Sequence, residues 1–226
     1  MFSQVRNLII LTLLFSCGTA SESTNEKSET PVDKNEPAQP ISDSEKIILF
    51  FGNSITAGYQ LDMDQAFPAL IQEKIDSLGI NYKTINAGLS GETSAGGKNR
   101  IEWVLRTTPD IFFLELGAND GLRGLPLDQT IQSLQDIIDA VKKENPEVKI
   151  IIAGMMVPPN LGEDYTNQFK NIFSDLAQKN EAVYIPFLLE GVAGIPELNL
   201  RDGIHPTPEG HEIVAETVWS YLSPLL

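Results

Sequence analysis

Three residues of this 226-residue chain have the types and spacing that nucleophilic catalysis requires: Ser54, Asp202 and His205. Ser54 directly follows the string ILFFGN, so its hydroxyl is expected where a strand ends and a helix begins. His205 is one of 2 histidines in the chain, and Asp202 lies close enough before it for one short turn to direct the carboxylate at the imidazole. A nucleophile, a base and an orienting acid are the groups that a serine hydrolase needs.

The elements that must position these residues are predicted from the hydrophobic pattern. Short β-type runs alternate with segments whose apolar residues recur at helical spacing, which is typical of a parallel sheet covered by helices. The predicted strands span residues 46–51, 81–86, 111–116, 148–153 and 182–185, and the predicted helices span residues 66–78, 97–105, 128–144, 164–178 and 207–222.

Small and polar residues follow these predicted strands. Ser54 follows the first strand, Gly88 the second and Asn119 the third, while the string from Asp202 to His205 lies beyond the fifth. Ligands of open α/β sheets bind outside the carboxyl ends of the strands. A flavodoxin-like sheet of five parallel strands in the order 2-1-3-4-5 would therefore bring all four sites together at one edge.

These strings, taken in order, resemble the blocks of the SGNH (GDSL-type) hydrolases over residues 46–226. The string MVPPNLGEDY at residues 156–165 resembles the fourth block of the thioesterase/lysophospholipase/arylesterase branch. The resemblance implies a three-layer α/β/α fold and hydrolysis of ester or thioester bonds through an acyl-serine intermediate, without a cofactor. The family's Gly-Asp-Ser is Gly-Asn-Ser here, and Asn53 keeps a side-chain oxygen that can accept a turn hydrogen bond.

An oxyanion hole is the second requirement of acyl transfer, because negative charge develops on the carbonyl oxygen. The backbone N–H of Ser54 is one candidate donor. Gly88 offers a second backbone N–H with no side chain to block approach, and the Asn119 amide offers a third. Their joint placement at strand ends favours this function over the ordinary turn roles of glycine and asparagine.

The acyl site is expected beside these groups. Pro158, Asn160 and Tyr165 follow the fourth predicted strand and are candidate substrate-binding residues, although a plain loop leading into a helix would explain them equally well. The apolar residues Leu122, Leu125 and Leu127 follow Asn119, and they would suit an acyl or aryl group or form a lid that packs on the domain. His211, on the last predicted helix, is assigned to the solvated helix face or to packing.

The first 45 residues differ from the rest of the chain. Arg6 is followed by an apolar stretch too short to span a bilayer and then by Cys17, the single cysteine, which together predict a lipoprotein-type signal sequence over residues 1–17. Residues 18–45 are rich in polar residues and proline and are expected to form a disordered tether, followed by one catalytic domain over residues 46–226. The chain is therefore expected to be anchored by lipid in a bacterial cell envelope, facing the periplasm or the surface.

The net charge and the few candidate metal ligands argue against a nucleic-acid-binding protein and against a metal enzyme. The formal net charge of −15 disfavours nucleic acid and electrostatic docking on anionic lipid. One string with a single histidine and aspartate lacks the three or four ligands of a metal centre.

The leading interpretation is a serine esterase acting on short to medium acyl esters. A carbohydrate acetylesterase and a non-catalytic ligand-binding lipoprotein of the same fold are the alternatives.

Overall fold

The structure is a computed structural model and describes residues 45–226. The predicted signal sequence with Cys17, and the predicted tether up to residue 44, lie outside the described residues. Within residues 45–226, no helix has both the length and the apolar character needed to cross a bilayer.

A single five-stranded parallel sheet forms the centre of the described part of the chain. Its strands are β1 (Lys46–Gly52), β2 (Tyr82–Gly88), β3 (Ile111–Glu115), β4 (Lys149–Ala153) and β5 (Val183–Ile185). Their order is β2-β1-β3-β4-β5, which confirms the predicted topology. Gly52 pairs with both Gly88 and Glu115, so β2, β1 and β3 end level with one another. This common edge is where the candidate catalytic residues gather.

Seven α-helices occur within residues 45–226; six lie between successive strands and the last follows β5. They are α1 (Ser54–Ala57), α2 (Phe67–Ser77), α3 (Ser94–Val104), α4 (Ala118–Leu122), α5 (Leu127–Glu144), α6 (Glu163–Asn180) and α7 (Pro208–Leu222). Short 3₁₀ turns at Met63–Gln65, Pro159–Leu161, Pro196–Leu198 and Ser223–Leu225 complete the connections.

The strands are buried on both faces, which explains their continuous apolar sequences. Alternate residues of β1 enter different cores: Leu49 and Phe51 pack with α3, α5 and α6, whereas Ile48 and Phe50 pack with α2 and α7. All four side chains are fully buried. The result is the predicted three-layer α/β/α arrangement, in which a rigid sheet carries the loops at its carboxyl edge.

Element boundaries differ from the prediction mainly at helix starts. Helix α3 begins three residues earlier than predicted, because the Thr93 side chain caps it by accepting the N–H of Gly96. Helices α1 and α4 were not predicted, since segments of four and five residues are too short to show helical periodicity.

His211 lies in packing and not on a solvated face. Its side chain is buried, and Nδ1 accepts the backbone N–H of Phe67 at 3.2 Å. Burial, and secondarily the charge of His205, lowers the pKa of His211 to about 4. The second histidine is thus a neutral structural residue that joins α7 to the start of α2.

Candidate active site

Ser54 occupies the first position of helix α1, immediately beyond the end of β1. Asn53 caps this helix: its Oδ1 accepts the backbone N–H of Ile55 at 3.3 Å and faces the Ser54 hydroxyl at 3.2 Å. The hydrogen-bonding role expected for Asn53 is therefore present without a carboxylate. The turn presents the Ser54 Oγ to the cavity at the sheet edge.

His205 and Asp202 meet Ser54 in the order expected of a catalytic triad. His205 Nε2 lies 2.8 Å from Ser54 Oγ, and His205 Nδ1 lies 2.8 Å from Asp202 Oδ2. The carboxylate therefore fixes one imidazole nitrogen while the other faces the hydroxyl. This geometry allows His205 to take the serine proton as the hydroxyl attacks.

The triad loop is itself held by backbone bonds. Asp202 Oδ1 accepts the N–H groups of Ile204 and His205 at 3.0 and 3.1 Å. Burial alone would raise the pKa of Asp202, but the hydrogen bonds from Ile204 and His205 outweigh it and lower this pKa overall. Asp202 is therefore kept ionised, as an acid that stabilises an imidazolium must be. The carbonyl of His205 accepts the N–H of Leu200 at 2.7 Å, and this bond closes the loop between the two residues.

A cavity of about 500 Å³ opens at the Ser54 and His205 side chains. Its volume falls within the range of small-molecule sites. Polar groups lie near the triad, and the remaining wall is largely apolar. The apolar lining residues are Ile55, Ala118, Leu122, Met155, Met156, Val157, Pro158, Phe187, Leu188, Leu189, Ala193 and Ile204.

Of the donors expected in the oxyanion hole, Asn119 and Gly88 differ in position. Asn119 lines the cavity, and its Nδ2 donates to the carbonyl of Glu92 at 3.0 Å, which holds the amide in place and leaves its second N–H available. Gly88 does not line the cavity. Its N–H already donates to Asn86 Oδ1 at 2.9 Å, and a Cβ there would overlap the backbone of Ala57. The prediction for Gly88 is therefore corrected: this glycine permits close packing of β2 against α1.

Gly91, in the loop after β2, lines the cavity where Gly88 was expected, and the sequence reasoning missed it. It lines the cavity with Ser54 and Asn119, in a turn where its φ of 80° favours glycine. The signal available in the sequence was a second glycine shortly after Gly88, in the string GLSGE.

The turn at Gly91 is held from behind by an ion pair. Arg100 donates to both carboxylate oxygens of Glu92, at 2.7 and 2.6 Å, and to the carbonyl of Ala87 at 2.8 Å. The Glu92 side chain is nearly buried, so the pair is largely shielded from water. Arg123 also donates to the Gly91 carbonyl at 3.0 Å. The position of Gly91 is thus set by several directional contacts.

The predicted substrate-binding residues separate in the structure. Pro158 lines the cavity, whereas Asn160 and Tyr165 do not. Tyr165, in the first turn of α6, packs against the core and donates its hydroxyl to the Leu125 carbonyl at 2.9 Å, while Asn160 is exposed. Neither Asn160 nor Tyr165 therefore contributes to the cavity wall. Of the apolar residues after Asn119, only Leu122 reaches the cavity wall.

A buried carboxyl, Glu115, lies directly beneath the nucleophile turn. Its Oε2 accepts the N–H groups of Asn53 and Thr56 and, at 2.8 Å, the Thr56 hydroxyl. Burial raises the pKa of Glu115 to about 7, and the hydrogen bonds from Thr56 and Asn53 oppose that rise. Sequence reasoning placed this residue in a strand without a role in the site.

No cluster of three or more metal-ligating side chains occurs among residues 45–226. The chemistry available in the described cavity is that of a serine hydroxyl, an imidazole, a carboxylate and N–H donors.

A serine–histidine–aspartate chain at the carboxyl edge of a five-stranded parallel sheet defines a serine hydrolase of the α/β/α type. Residues 50–213 match the model of the GDSL-like lipase/acylhydrolase family, and the chain belongs to this family. The family confirms the resemblance seen in the sequence and identifies the chain as a serine hydrolase of ester bonds.

Individual relatives agree with this assignment. The chain is 37% identical to esterase TesA of Pseudomonas aeruginosa, over 79% of this chain and 89% of that protein. It is 36% identical to an arylesterase of Vibrio mimicus, over 77% of this chain and 86% of that protein. A crystal structure of TesA superimposes with a TM-score of 0.76 at 36% identity, covering 80% of this chain and 100% of that chain.

Proposed function

We propose that this protein hydrolyses short to medium acyl esters, with Ser54 as nucleophile, His205 as general base and acid, and Asp202 as the orienting acid. The observation that carries the proposal is the continuous set of contacts from Asp202 through His205 to Ser54, each 2.8 Å long. These groups open on a cavity with a largely apolar wall.

In the acylation step, Ser54 Oγ attacks the ester carbonyl while its proton passes to His205 Nε2. Asp202 stabilises the imidazolium through Nδ1. The carbonyl oxygen becomes an oxyanion that receives hydrogen bonds from the N–H groups of Ser54 and Gly91 and from Asn119 Nδ2. Collapse of this intermediate breaks the bond to the leaving group, which takes the proton from His205.

In the deacylation step, water replaces the leaving group. His205 accepts a proton from the water as its oxygen attacks the acyl-serine carbonyl, and the same three donors stabilise the second oxyanion. The bond to Ser54 Oγ then breaks, the serine recovers its proton from His205, and the carboxylic acid leaves.

The wall of the cavity favours an aliphatic or aryl acyl group over a glycan. Leu122, Met156, Val157 and Leu188 present apolar surface beside the polar triad. Each methylene buried there contributes up to about 0.8 kcal/mol, so efficiency should rise with acyl length until the pocket is filled. A carbohydrate acetylesterase would require a polar groove, which this lining does not favour.

A panel of p-nitrophenyl esters from acetate to palmitate, with acyl-CoA and acetylated xylan alongside, tests this proposal. We expect kcat/KM to increase from acetate over several carbons, and Ser54→Ala protein to be inactive throughout. Efficiency that peaks at acetate, together with rapid release of acetate from xylan, would favour the carbohydrate acetylesterase. A folded protein that hydrolyses none of these compounds would favour the non-catalytic binding protein.

We also propose that Cys17 is lipidated and that the catalytic domain is attached to a cell-envelope membrane through it. The support is the apolar stretch before Cys17 and the polar composition of residues 18–45. Because a single acyl chain anchors only marginally, the several chains of a bacterial lipoprotein are required for stable attachment.

A further inference from the structure

Glu115 holds the nucleophile turn by three donors that converge on one oxygen. The N–H of Asn53 lies 3.0 Å from Oε2, the N–H of Thr56 3.2 Å and the Thr56 hydroxyl 2.8 Å. These donors flank Ser54 on both sides in the chain. Any change in the strength of Oε2 as an acceptor therefore acts on the backbone that carries the Ser54 hydroxyl.

Two polar atoms at this position have no hydrogen-bond partner in the described structure. They are Oε1 of Glu115 and Nδ2 of Asn53, both fully buried. Asn53 contacts the carboxyl through its backbone N–H, which lies 3.0 Å from Oε2. Its side-chain Oδ1 faces the Ser54 hydroxyl at 3.2 Å. Asn53 thus lies between the nucleophile and the buried carboxyl.

We propose that Glu115 is a positioning residue for Ser54, whose ionised carboxylate holds the nucleophile turn through the backbone N–H groups of Asn53 and Thr56 and the Thr56 hydroxyl. The inference rests on the proposed function, since it takes Ser54 as the nucleophile. An ionised acceptor forms stronger hydrogen bonds than a neutral one, so ionisation tightens the turn. The neutral side chain of Asn53 suits a place beside this carboxylate, because an aspartate there would add a second negative charge.

The surroundings of Glu115 leave its ionisation under the control of these few groups. Gly52 pairs with it in β1, β4 ends at the apolar Ala153, and helix α1 presents the neutral Thr56. The other titratable residues that line the same cavity are Tyr59 and His205. All the variants compared retain both of these residues.

The test is the ratio of wild-type to Glu115→Gln kcat, measured across pH with a p-nitrophenyl ester. Above about pH 8 the ratio should be about tenfold, the difference between hydrogen bonds to a charged and a neutral acceptor. Near about pH 5.5 it should fall to about one, because protonated glutamic acid then resembles glutamine. KM should change little, since the effect is on the reacting group.

Asp110→Asn is the matched control. Asp110 Oδ2 accepts a β1 backbone N–H, that of Ile47 at 2.8 Å, but does so at the opposite edge of the sheet. The ratio of wild-type to Asp110→Asn kcat should stay constant with pH. A ratio for Glu115→Gln that is equally constant would show a merely structural role and overturn the inference.

Two further variants keep the test decisive if Glu115→Gln fails to fold. Thr56→Val removes the hydroxyl donor and Asn53→Asp adds a negative charge, so both should raise the pKa of Glu115. The ratio of wild-type to variant kcat should then rise around neutral pH and fall again at alkaline pH, where the carboxyl of the variant also ionises. Flat ratios for both variants would overturn the inference. A wild-type protein whose Ser54 does not react with a phosphonate would overturn the proposed function and this inference together.

Discussion

At the scale of single residues, two of the donors around the expected oxyanion are held in place by neighbouring groups. Asn119 is fixed by its bond to the Glu92 carbonyl, and Gly91 is fixed by the turn that Arg100 and Arg123 hold. Donors fixed in advance stabilise charge in the transition state without reorganising.

Asn119→Ala should lower kcat by roughly a hundredfold or more with a much smaller change in KM. The reason is that the amide binds the oxyanion more strongly than it binds the ground-state carbonyl. Steady-state kinetics on one activated ester measure both constants. A change confined to KM would instead make Asn119 a ground-state binding residue.

At the scale of elements, the sheet was predictable and the turns at its edge were only partly so. Strands β1 and β3 are buried on both faces, so their sequences are continuous apolar runs that sequence analysis recognises easily. Sequence analysis selected Ser54, Asp202 and His205, which the structure brings together, because their side-chain chemistry is distinctive. Gly91 was missed because a backbone N–H carries no such signature, and its placement depends on turn geometry and on Arg100.

Contacts that a local pattern does not encode also explain why Asn160 and Tyr165 were expected at the cavity and why Glu115 was overlooked. Tyr165 has the chemistry of a binding residue, but its hydroxyl is used by the Leu125 carbonyl, a contact between distant segments that no local pattern encodes. Glu115 ends an apolar strand, and only the fold shows that its carboxyl meets the turn at Ser54. Long-range contacts of this kind decide roles that residue type leaves open.

Arg100→Met should lower kcat by roughly tenfold or more while leaving the sheet intact, because Glu92 and the turn at Gly91 lose their main support. Kinetics and circular dichroism together measure this outcome. Lys98→Met on the same helix is the control, since Lys98 pairs with Asp136 of α5 away from the turn. Equal losses in both variants would indicate a general effect on α3.

Glu115 should also make stability depend on pH. Its pKa is about 7 in the folded protein and near its ordinary value of 4.5 when unfolded, so the folded state keeps a proton that the unfolded state loses between these values. The free energy of unfolding therefore decreases as pH rises through this range. Relative to Glu115→Gln, wild type should lose on the order of 3 kcal/mol between about pH 4 and pH 8. Urea unfolding of both proteins at each pH gives the difference, and a constant difference would contradict it.

At the scale of the whole molecule, the proposed attachment depends on the segment before the catalytic domain. Cys17→Ala should move the protein from the membrane fraction to the soluble or precursor fraction of its native host, while the specific activity of the purified protein stays unchanged. Fractionation with immunoblotting measures the distribution. Mass spectrometry that finds an unmodified mature N-terminus beyond Cys17 would refute lipidation.

The central claim is that Ser54 is the nucleophile, and the most direct measurement is to map the site of reaction with a fluorophosphonate probe. Intact-mass and peptide mass spectrometry should find one adduct on Ser54 in the wild-type protein. Ser54→Ala should show neither adduct nor ester hydrolysis, with unchanged circular dichroism and melting temperature, because the role of the hydroxyl is chemical. An adduct on another residue, or substantial hydrolysis by the folded Ser54→Ala protein, would contradict the account.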